Sequence, residues 1–313
     1  MPKSIVTIGN FDGVHAGHAA LVRRARTLAE KDGGRVVVLS FDPHPVSILR
    51  PDAAPERLST FAQRERLLKA CGADEVVRIA PTKDLLAQSA VEFAEWLASE
   101  HRPGVIVEGP DFRFGHKRLG DVELLARMGA QLGFRVEAVP PIEVELGDQT
   151  VVTASSSITR WLVRHGRVED AARVLGRAYE IEGVVVRGER RGRTINMPTA
   201  NIEAVHLAPA DGVYAGLATL PDGRVFAAAI SVGTKPTFTD ATERVVEAHL
   251  LDCPRDGDCI EGLDEYGWTA RLAYTRWLRD QAKYDSIGAL LEQMNRDCER
   301  VRELADGKVA ACR

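Results

Sequence analysis

The segment Gly9–His18, with the sequence GNFDGVHAGH, directly follows a short apolar run at Ile5–Ile8 and precedes a helical pattern. Gly9 lets the backbone turn sharply at the end of the strand and approach a ligand closely. Gly13 and Gly17 keep side-chain bulk out of the loop and out of the first helical turn. Because the free N–H groups at the start of a helix attract phosphate, the segment predicts a loop that binds the phosphates of a nucleotide. It places this loop at the end of the first strand of an α/β domain.

Two histidines in this segment indicate what the loop does with a phosphate. His15 and His18 are three residues apart, so a helical turn projects both imidazoles to the same side. Two imidazoles beside a helix N-terminus can stabilise the charge that develops on a pentacoordinate α-phosphorus, and an anionic oxygen of a second substrate can attack it. A metal-binding pair needs a third ligand, and a pair of core histidines does not explain the flanking glycines. The pattern therefore favours phosphate chemistry.

Apolar runs and helical patterns alternate through the first half of the chain. Strands are predicted at Ile5–Ile8, Val36–Phe41, Glu75–Ile79, Val105–Glu108 and Arg135–Val139. Helices are predicted after Gly17, with Leu21, Val22, Ala25, Leu28 and Ala29 on one face, and around Gln63–Cys71, Ala90–Glu100 and Val122–Leu132. This order predicts a Rossmann-like α/β domain, a parallel sheet with helices on both faces. In such sheets ligands bind beyond the carboxyl ends of the strands.

The pattern of the chain changes after a helical stretch at Ser155–Gly176. Strands are predicted at Tyr179–Gly188, Val213–Leu220, Val225–Val232, Val245–Leu251 and Trp268–Trp277, with a hairpin turn at Asp222-Gly223. An apolar stripe from Ile287 to Leu304 predicts a C-terminal helix that Asp285 or Ser286 can cap. We expect a small antiparallel β-barrel domain with a C-terminal helix, and domain limits of 1–178 and 179–313.

Composition limits the partners that the chain can have. It has 313 residues and a formal net charge of −4, so its overall charge gives no reason to expect nucleic acid or an anionic membrane. No apolar run is long enough to span a bilayer, and the N-terminus lacks the features of a signal peptide. We therefore expect a cytoplasmic protein whose five scattered cysteines are free thiols, with no zinc site. The sequence leaves the oligomeric state open.

The GNFDGVHAGH segment resembles the signature of nucleotidylyltransferases whose motif ends in His-x-Gly-His. The rest of the first half looks like the adenylyltransferase module of prokaryotic bifunctional riboflavin kinase/FAD synthetases. Three further segments carry this resemblance: Ser40–Pro45, SFDPHP; Glu108–Gly115, EGPDFRFG; and Ser155–Arg160, SSSITR. The last departs from the family's usual Ser-Ser-Thr by having Ser157, which keeps the hydroxyl.

The resemblance implies a set of site residues in the first domain. His15 and His18 are expected to be catalytic. ATP and its phosphates are expected at Gly9, Phe11, Asp12, Gly17, Asp111, Ser155, Ser156, Ser157 and Arg160, and the flavin at Phe41, His44 and Phe112. Residue chemistry agrees for the last loop, since serines at a helix start can donate to phosphate oxygens and Arg160 adds positive charge. A plain helix cap explains the same serines without any ligand.

A second group of polar residues begins the C-terminal half. The segment Gly188–Asn201, GERRGRTINMPTAN, contains a basic turn that could simply be solvated. Thr199 and Asn201 are two apart, so an extended chain places a hydroxyl and an amide oxygen on one side. Such hard oxygen ligands suit Mg²⁺, which otherwise keeps waters and substrate phosphates.

This segment resembles the riboflavin kinase signature, in which Pro-Thr-Ala-Asn holds the metal. The resemblance implies that Gly188, Arg191, Gly192 and Arg193 cover the ATP phosphates and that Thr199 and Asn201 bind the metal. Matching segments continue at Asp211–Tyr214, Ser231–Phe238 and Val246–Asp252. In the last of these the resemblance makes Glu247 the base for the ribityl 5′-hydroxyl. Without the matching segment around it, a solvent-facing strand residue would be the favoured interpretation of Glu247.

The chain departs from the kinase pattern in two places. Asn196 stands where the family usually has glycine, and the stretch Cys253–Gly267 is longer than the usual link to Tyr266-Gly267. Asn196 belongs to the arch that the resemblance places over the ATP phosphates, and the resemblance places the Cys253–Gly267 loop near where the flavin binds. They put the kinase half at greater risk than the adenylyltransferase half.

The resemblance covers nearly the whole chain and implies a bifunctional enzyme of flavin cofactor synthesis. Its substrates and products would be riboflavin, FMN, FAD, ATP, ADP and pyrophosphate, with Mg²⁺ as cofactor and ATP as co-substrate. Two alternatives remain at this point. Only one half, the FMN adenylyltransferase, is active, or the chain is a flavin-sensing or RNA-binding regulator built on the same scaffold.

Overall fold

The computed structural model describes residues 4–188, 197–236, 242–257 and 259–305. The chain forms two compact units. The first comprises Met1–Glu145 and Gln149–Ile158, and the second comprises Leu146–Asp148 and Thr159–Arg313. No helix among the described residues is long and apolar enough to cross a membrane.

The first unit is built on a five-stranded parallel sheet with the strand order β3-β2-β1-β4-β7. The described strands are β1 (Ser4–Gly9), β2 (Arg35–Phe41), β3 (Glu75–Ile79), β4 (Pro103–Glu108), β5 (Arg113–Phe114), β6 (Gly120–Asp121), β7 (Arg135–Ala138), β8 (Glu143–Glu145) and β9 (Val151–Thr153). The helices are α1 (Ala16–Asp32), α2 (Pro45–Leu49), α3 (Phe61–Ala70), α4 (Lys83–Ala87), α5 (Ala90–His101) and α6 (Val122–Leu132), with 3₁₀ turns at Pro51–Ala53 and His116–Arg118.

Helices cover both faces of this sheet, as predicted. On one face Ile5 and Val36 pack with Val22 and Ala25 of α1. On the other, Val6 and its neighbours pack with residues of α5 and α6, among them Phe93, Leu97 and Leu125. These apolar strands alternate their side chains between two buried layers, which is why they read as continuous apolar runs.

The strand order reverses at β1. The pairing of β1 with β2 runs from Ser4 to Gly9, whereas its pairing with β4 runs only from Ser4 to Val6. In an open parallel sheet the carboxyl ends of strands separate at such a reversal, and a ligand crevice forms there. The Gly9–His18 loop begins at this point.

The second unit contains a closed antiparallel barrel with the order β10-β11-β14-β13-β12-β17, as the sequence predicts. The described strands are β10 (Tyr179–Val186), β11 (Ala200–Ala204), β12 (Gly212–Thr219), β13 (Val225–Pro236), β14 (Thr242–Leu250), β15 (Arg255–Asp256), β16 (Cys259–Ile260) and β17 (Thr269–Arg279). The remaining helices are α7 (Ser156–Arg164), which crosses the division between the units, α8 (Val168–Leu175) and the C-terminal α9 (Ile287–Ala305).

Two details differ from the sequence expectations, and a third decides which of two predicted residues caps the last helix. The stretch at Ser155–Gly176 forms two helices, because the chain breaks at Gly166 with a positive φ of 70°. Ser286, not Asp285, caps α9 by accepting a hydrogen bond from Ala289 N–H. Ile287, at the start of the predicted apolar stripe, is exposed, and the buried part of α9 begins near Asp297. The domain limit at 178/179 stays a prediction.

Gly183 of β10 gives a test of the barrel packing. A Cβ at this position would lie 2.7 Å from Ile202 Cγ2 and collide with the backbone of Glu203 on the paired strand. We expect Gly183→Ala to destabilise the second unit by about 1–3 kcal/mol. Urea unfolding followed by tryptophan fluorescence measures this loss, since Trp161, Trp268 and Trp277 all lie in the second unit.

Gly233→Ala is the matched control for this experiment. Its Cβ would meet Gln281 Nε2 at an ordinary 3.6 Å. Equal unfolding midpoints for the two variants would contradict the packing of β10 against β11.

Candidate active sites

The Gly9–His18 loop has an unusual backbone. Phe11, Gly13 and Val14 all have positive φ angles, of 49°, 79° and 43°. Glycine adopts this conformation freely, but bulky residues such as Phe and Val do so only when their surroundings hold them there. Each such residue costs on the order of 1–3 kcal/mol. The loop is therefore held in shape by its neighbours.

Asp12 provides much of this hold. Its carboxylate accepts hydrogen bonds from Leu58 N–H at 3.1 Å and from Ser59 N–H and hydroxyl at 2.9 and 3.0 Å. Ser59 Oγ in turn accepts from Gly13 N–H at 2.9 Å. The structure thus gives the Asp12 side chain a role in fixing the loop. These bonds do not test its predicted contact with ATP, which stays a prediction.

The two histidines lie where the loop meets α1. His15 is the N-cap residue and His18 is in the first turn, and their rings stack with centroids 3.6 Å apart. Gly17 makes room for this arrangement, because a Cβ there would lie 3.1 Å from the His15 ring. The helix start has no side-chain cap and no acidic residue in its first turn. Two imidazoles therefore face one way beside uncapped N–H groups, an arrangement suited to an anion.

Phe11 was predicted to bind ATP, but its ring is buried and lies 5.0 Å from the His18 ring between centroids. It therefore supports His18 from the core, and its contact with ATP stays a prediction. Gly9 lies beneath the same ring, with a virtual Cβ 3.4 Å from Phe11.

A hydrogen bond joins the serine segment Ser155–Ser157 to the Gly9–His18 loop. Ser156 Oγ donates to the Asp12 carbonyl at 2.7 Å, and Ser155 Oγ accepts from Ile158 N–H at 3.2 Å as the cap of α7. Ser157 is exposed, and Arg160, which belongs to the second unit, is buried. The cap interpretation therefore explains Ser155, while Ser156 joins the two loops.

Two of the three expected flavin residues, Phe41 and Phe112, lie on the side of the sheet away from α1, whereas His44 Nε2 lies 3.2 Å from Asn10 Nδ2 of the Gly9–His18 loop. Phe41 and Phe112 both pack at the edge of the core cluster of Phe93 and Phe114, and Phe112 stacks on Phe114. His44 caps α2 through Nδ1, which accepts from Val46 N–H at 3.2 Å. Asp111 is exposed beside Phe112.

Arg64 is a residue of this site that sequence reasoning missed. Its guanidinium is buried and donates to the carbonyls of Asn10 and Phe41, each at 2.8 Å, and to Ser40 Oγ at 3.2 Å, while pairing with Asp42. It thereby ties the ends of β1 and β2 together. Its place on the apolar side of α3, four residues before buried Leu68, was the only signal in the sequence.

Glu108 is a second residue that was not predicted as part of the site. It ends β4, and its carboxylate accepts hydrogen bonds from Ile8 N–H at 2.6 Å and Thr7 Oγ1 at 3.3 Å. It therefore occupies the gap where β1 and β4 separate. Burial raises the pKa of Glu108 to about 8, the hydrogen bonds from Ile8 and Thr7 oppose this rise, and the charge of Asp111 adds to it.

The barrel brings the second set of predicted residues together. Asn201 on β11 is directly opposite Glu247 on β14, and Ser231 on β13 is opposite Glu247 on its other side. Residues directly opposite on antiparallel strands project to the same face. Thr199 Oγ1 donates to Glu247 Oε2 at 3.5 Å. A hydroxyl, an amide and a carboxylate thus converge, although 48 residues separate Thr199 from Glu247.

Gly188 approaches this group closely, because a Cβ there would collide with the Asn201 amide. Only glycine lets the strand end lie against the predicted metal ligand. The predicted phosphate-covering residues Arg191, Gly192 and Arg193, together with Asn196, lie outside the described residues.

One pocket of the second unit contains several of these residues and part of the long loop. It is lined by Gly188, Pro198, Thr199 and Asn201, and also by Arg255, Cys259, Ile260, Asp264, Glu265, Tyr266 and Trp268. The longer stretch Cys253–Gly267 therefore lies against the predicted metal motif.

His249 supports the same motif and was also missed. Its Nδ1 lies 2.9 Å from the Pro198 carbonyl and is the donor in that bond. Burial lowers the pKa of His249, the bond to Pro198 opposes this, and the charge of Arg255 lowers the pKa further. Its position two residues after Glu247, on the same side of a strand, was the available signal.

Comparisons with known proteins cover both units. Family models described as FAD synthetase and riboflavin kinase match residues 1–155 and 175–305. The bifunctional riboflavin kinase/FMN adenylyltransferase of Escherichia coli (strain K12) is 33% identical over 309 residues, which cover 96% of this chain and 92% of that protein. The protein of the same name from Bacillus subtilis (strain 168) is 29% identical over 301 residues, covering 94% and 90%.

A crystal structure described as a macrolide-efflux protein from Streptococcus pneumoniae has the same fold throughout. Its TM-score is 0.82 with 31% identity, and the match covers 96% of this chain and 95% of that chain. The name of that protein differs from the name of the curated relatives, and we take from it the shared two-unit fold.

The pH dependence of protein stability tests the buried position of the Glu108 carboxyl in the first unit. Its pKa rises from an ordinary value near 4.5 to about 8 on folding, so between these values the unfolded chain has lost a proton that the folded chain keeps. Stability from this group is therefore complete below pH 4.5 and is lost as the pH rises to 8. With Glu108→Gln as the reference, we expect the free energy of unfolding of the unsubstituted protein to fall by up to about 1.4 kcal/mol for each unit by which the pH rises in this range. Urea unfolding of both proteins from pH 5 to 8.5 measures the difference. If the free energies of unfolding of the two proteins depend on pH in the same way, the burial of the Glu108 carboxyl is contradicted.

Proposed function

The chain belongs to the family of bifunctional riboflavin kinases/FMN adenylyltransferases, and we propose that His15, His18 and Glu247 carry out its two reactions. The enzyme phosphorylates riboflavin with ATP to give FMN, and it adenylylates FMN with a second ATP to give FAD and pyrophosphate. The observation that carries the assignment of residues is the convergence of Thr199, Asn201 and Glu247 on neighbouring strands.

In adenylyl transfer, a phosphate oxygen of FMN bonds to the α-phosphorus of ATP. The bond from that phosphorus to the oxygen bridging to the β-phosphate breaks, and pyrophosphate leaves. No protein nucleophile and no proton transfer are needed. The stacked rings of His15 and His18 stabilise the charge on the α-phosphate, with the uncapped start of α1 behind them. The supporting observation is that Asp12, Ser59 and Ser156 hold the loop in shape through hydrogen bonds within the protein.

In the kinase reaction, the ribityl 5′-hydroxyl oxygen bonds to the γ-phosphorus and ADP leaves. Glu247 accepts the hydroxyl proton. A carboxylate is a weak base for an alcohol, so positioning must supply most of the rate. Its opposite neighbours Asn201 and Ser231 on two flanking strands fix its place in the barrel.

We further propose Mg²⁺ as the cofactor of the kinase site. Thr199 and Asn201 fit this ion, because their oxygens are hard ligands and Gly188 leaves them open to the pocket. When bound, Mg²⁺ neutralises negative charge on the phosphates. Thr199 and Asn201 would hold it, and His249 holds the Pro198 carbonyl next to them.

Chromatography of the flavins tests the whole assignment. The purified chain is incubated with riboflavin, ATP and Mg²⁺, and in parallel with EDTA in place of Mg²⁺. FMN and FAD are expected with Mg²⁺ and neither with EDTA. FAD from added FMN, but none from riboflavin, would leave only the adenylyltransferase active. Salt-sensitive RNA binding without turnover would instead support the regulator.

Substitution of the loop histidine separates the first activity. We expect His18→Ala to lower FAD formation about 100- to 1,000-fold, since it removes one group that stabilises the α-phosphate, while FMN accumulates from riboflavin. His116→Ala, an exposed histidine of the same unit, is the matched control. Loss of both activities in a folded His18→Ala protein would overturn the two-site assignment.

Substitution of the barrel carboxylate separates the second activity. Glu247→Gln keeps the size of the side chain and removes the base, so FMN formation should fall about 100-fold or more. FAD should still form from supplied FMN at the native rate. Glu203→Gln on neighbouring β11, where the side chain is exposed, serves as control. A native rate of FMN formation by Glu247→Gln would remove Glu247 from the mechanism.

A further inference from the structure

The long stretch after β14 folds into a short hairpin, residues Pro254–Glu261, which we call the 254–261 hairpin. Arg255 pairs with Ile260 and Asp256 with Cys259, and Glu261 N–H donates to the Pro254 carbonyl at 3.0 Å. Arg224 stabilises the C-terminal end of the hairpin by donating to the Glu261 carbonyl at 2.6 Å. These bonds join the described residues of the hairpin, 254–257 and 259–261, to each other and to Arg224.

This hairpin forms part of the pocket that contains the predicted metal ligands. Arg255, Cys259 and Ile260 line the same pocket as Thr199 and Asn201. An arginine, a thiol and an apolar side chain thus stand opposite the segment that is proposed to hold Mg²⁺ and ATP. Nothing in the two reactions described above uses them.

The charge of Arg255 reaches the proposed site. It lowers the pKa of His249, whose ring is hydrogen-bonded to the carbonyl of Pro198, the residue before Thr199. The charge of a second arginine, Arg302, also lowers the pKa of His249, but Arg302 does not line the pocket. Of these two arginines, Arg255 is the one that can meet a ligand in the pocket.

We propose that Arg255 binds the phosphates of ATP in the kinase site and that the 254–261 hairpin is a nucleotide-recognition element of this chain. A guanidinium presents a planar set of N–H donors that matches phosphate oxygens two at a time. The pocket also contains the carboxylates of Asp264 and Glu265, and Glu265 accepts a bond from the Tyr266 hydroxyl at 2.8 Å. The lining thus carries both positive and negative side chains. A negative triphosphate with its positive metal ion would present charges of both signs to them. This inference rests on the kinase site proposed above.

Kinetics of two variants test the role of Arg255. We expect Arg255→Gln to raise the KM for ATP of FMN formation about 10-fold or more, because a charge-assisted hydrogen bond is lost. Arg255→Lys, which keeps the charge but not the paired donors, should lie between it and the native enzyme. The KM for ATP of FAD formation from added FMN is the internal control and should not change. Arg302→Gln removes the same charge outside the pocket and should behave as native.

A readout independent of turnover uses the native cysteines. Cys259 lines the pocket, whereas Cys71 and Cys253 do not, so alkylation of each is followed by mass spectrometry. A non-hydrolysable ATP analogue with Mg²⁺ should slow alkylation of Cys259 alone. In Arg255→Gln, half-protection should need about 10-fold more analogue.

The outcomes distinguish this proposal from the proposed function. Equal half-protection in the native chain and Arg255→Gln would overturn the role of Arg255. Protection of Cys259 by riboflavin but not by the ATP analogue would place the hairpin at the flavin and overturn the proposal. If the native chain forms no FMN, the proposed kinase function fails, and the protection of Cys259 still decides whether the hairpin meets ATP.

Discussion

The pairing of neighbouring strands carries residues that are far apart in the sequence to one place in each unit. In the barrel, the register that sets Asn201 opposite Glu247 also sets Glu247 opposite Ser231. A slip of one residue would turn Glu247 to the other face and separate it from the proposed metal ligands. The barrel is closed, so each strand is held on both sides and such a slip would disturb every pairing.

In the first unit, the corresponding constraint is the separation of β1 and β4. The loop that follows β1 adopts left-handed backbone at Phe11 and Val14, which the chain would not adopt alone. The bonds of Asp12 to Leu58 and Ser59, and of Arg64 to the ends of β1 and β2, hold it there. A loop that bonds within the protein hold in shape loses little entropy when it binds a ligand.

Two features of this chain lie beside its proposed sites. Glu108 fills the gap at the strand reversal with a buried carboxyl, bonded to the backbone that leads into the phosphate loop. The 254–261 hairpin adds a side to the kinase pocket. Glu108 is the first residue of the EGPDFRFG segment that carries the family resemblance, whereas the hairpin lies in a stretch that is longer than the family's usual link. Neither is among the proposed reacting groups. Each therefore offers a way to adjust a reaction while its reacting groups stay unchanged.

The sequence by itself determined the class of each unit and most of its elements. Apolar runs such as Val36–Phe41 predict buried parallel strands because both faces of the sheet are covered, and Asp222-Gly223 predicts a turn because glycine accepts the positive φ found there. The motifs likewise named His15, His18, Thr199, Asn201 and Glu247. What the sequence could not supply was contact between distant segments. Only the tertiary structure decided that Phe11 and Asp12 support the loop, that Arg64 and His249 hold backbone carbonyls, and that Arg255 lines the same pocket as Thr199. These roles depend on strand register and helix packing, which local patterns do not encode, because a buried arginine or a strand histidine has the same sequence signature whatever it contacts.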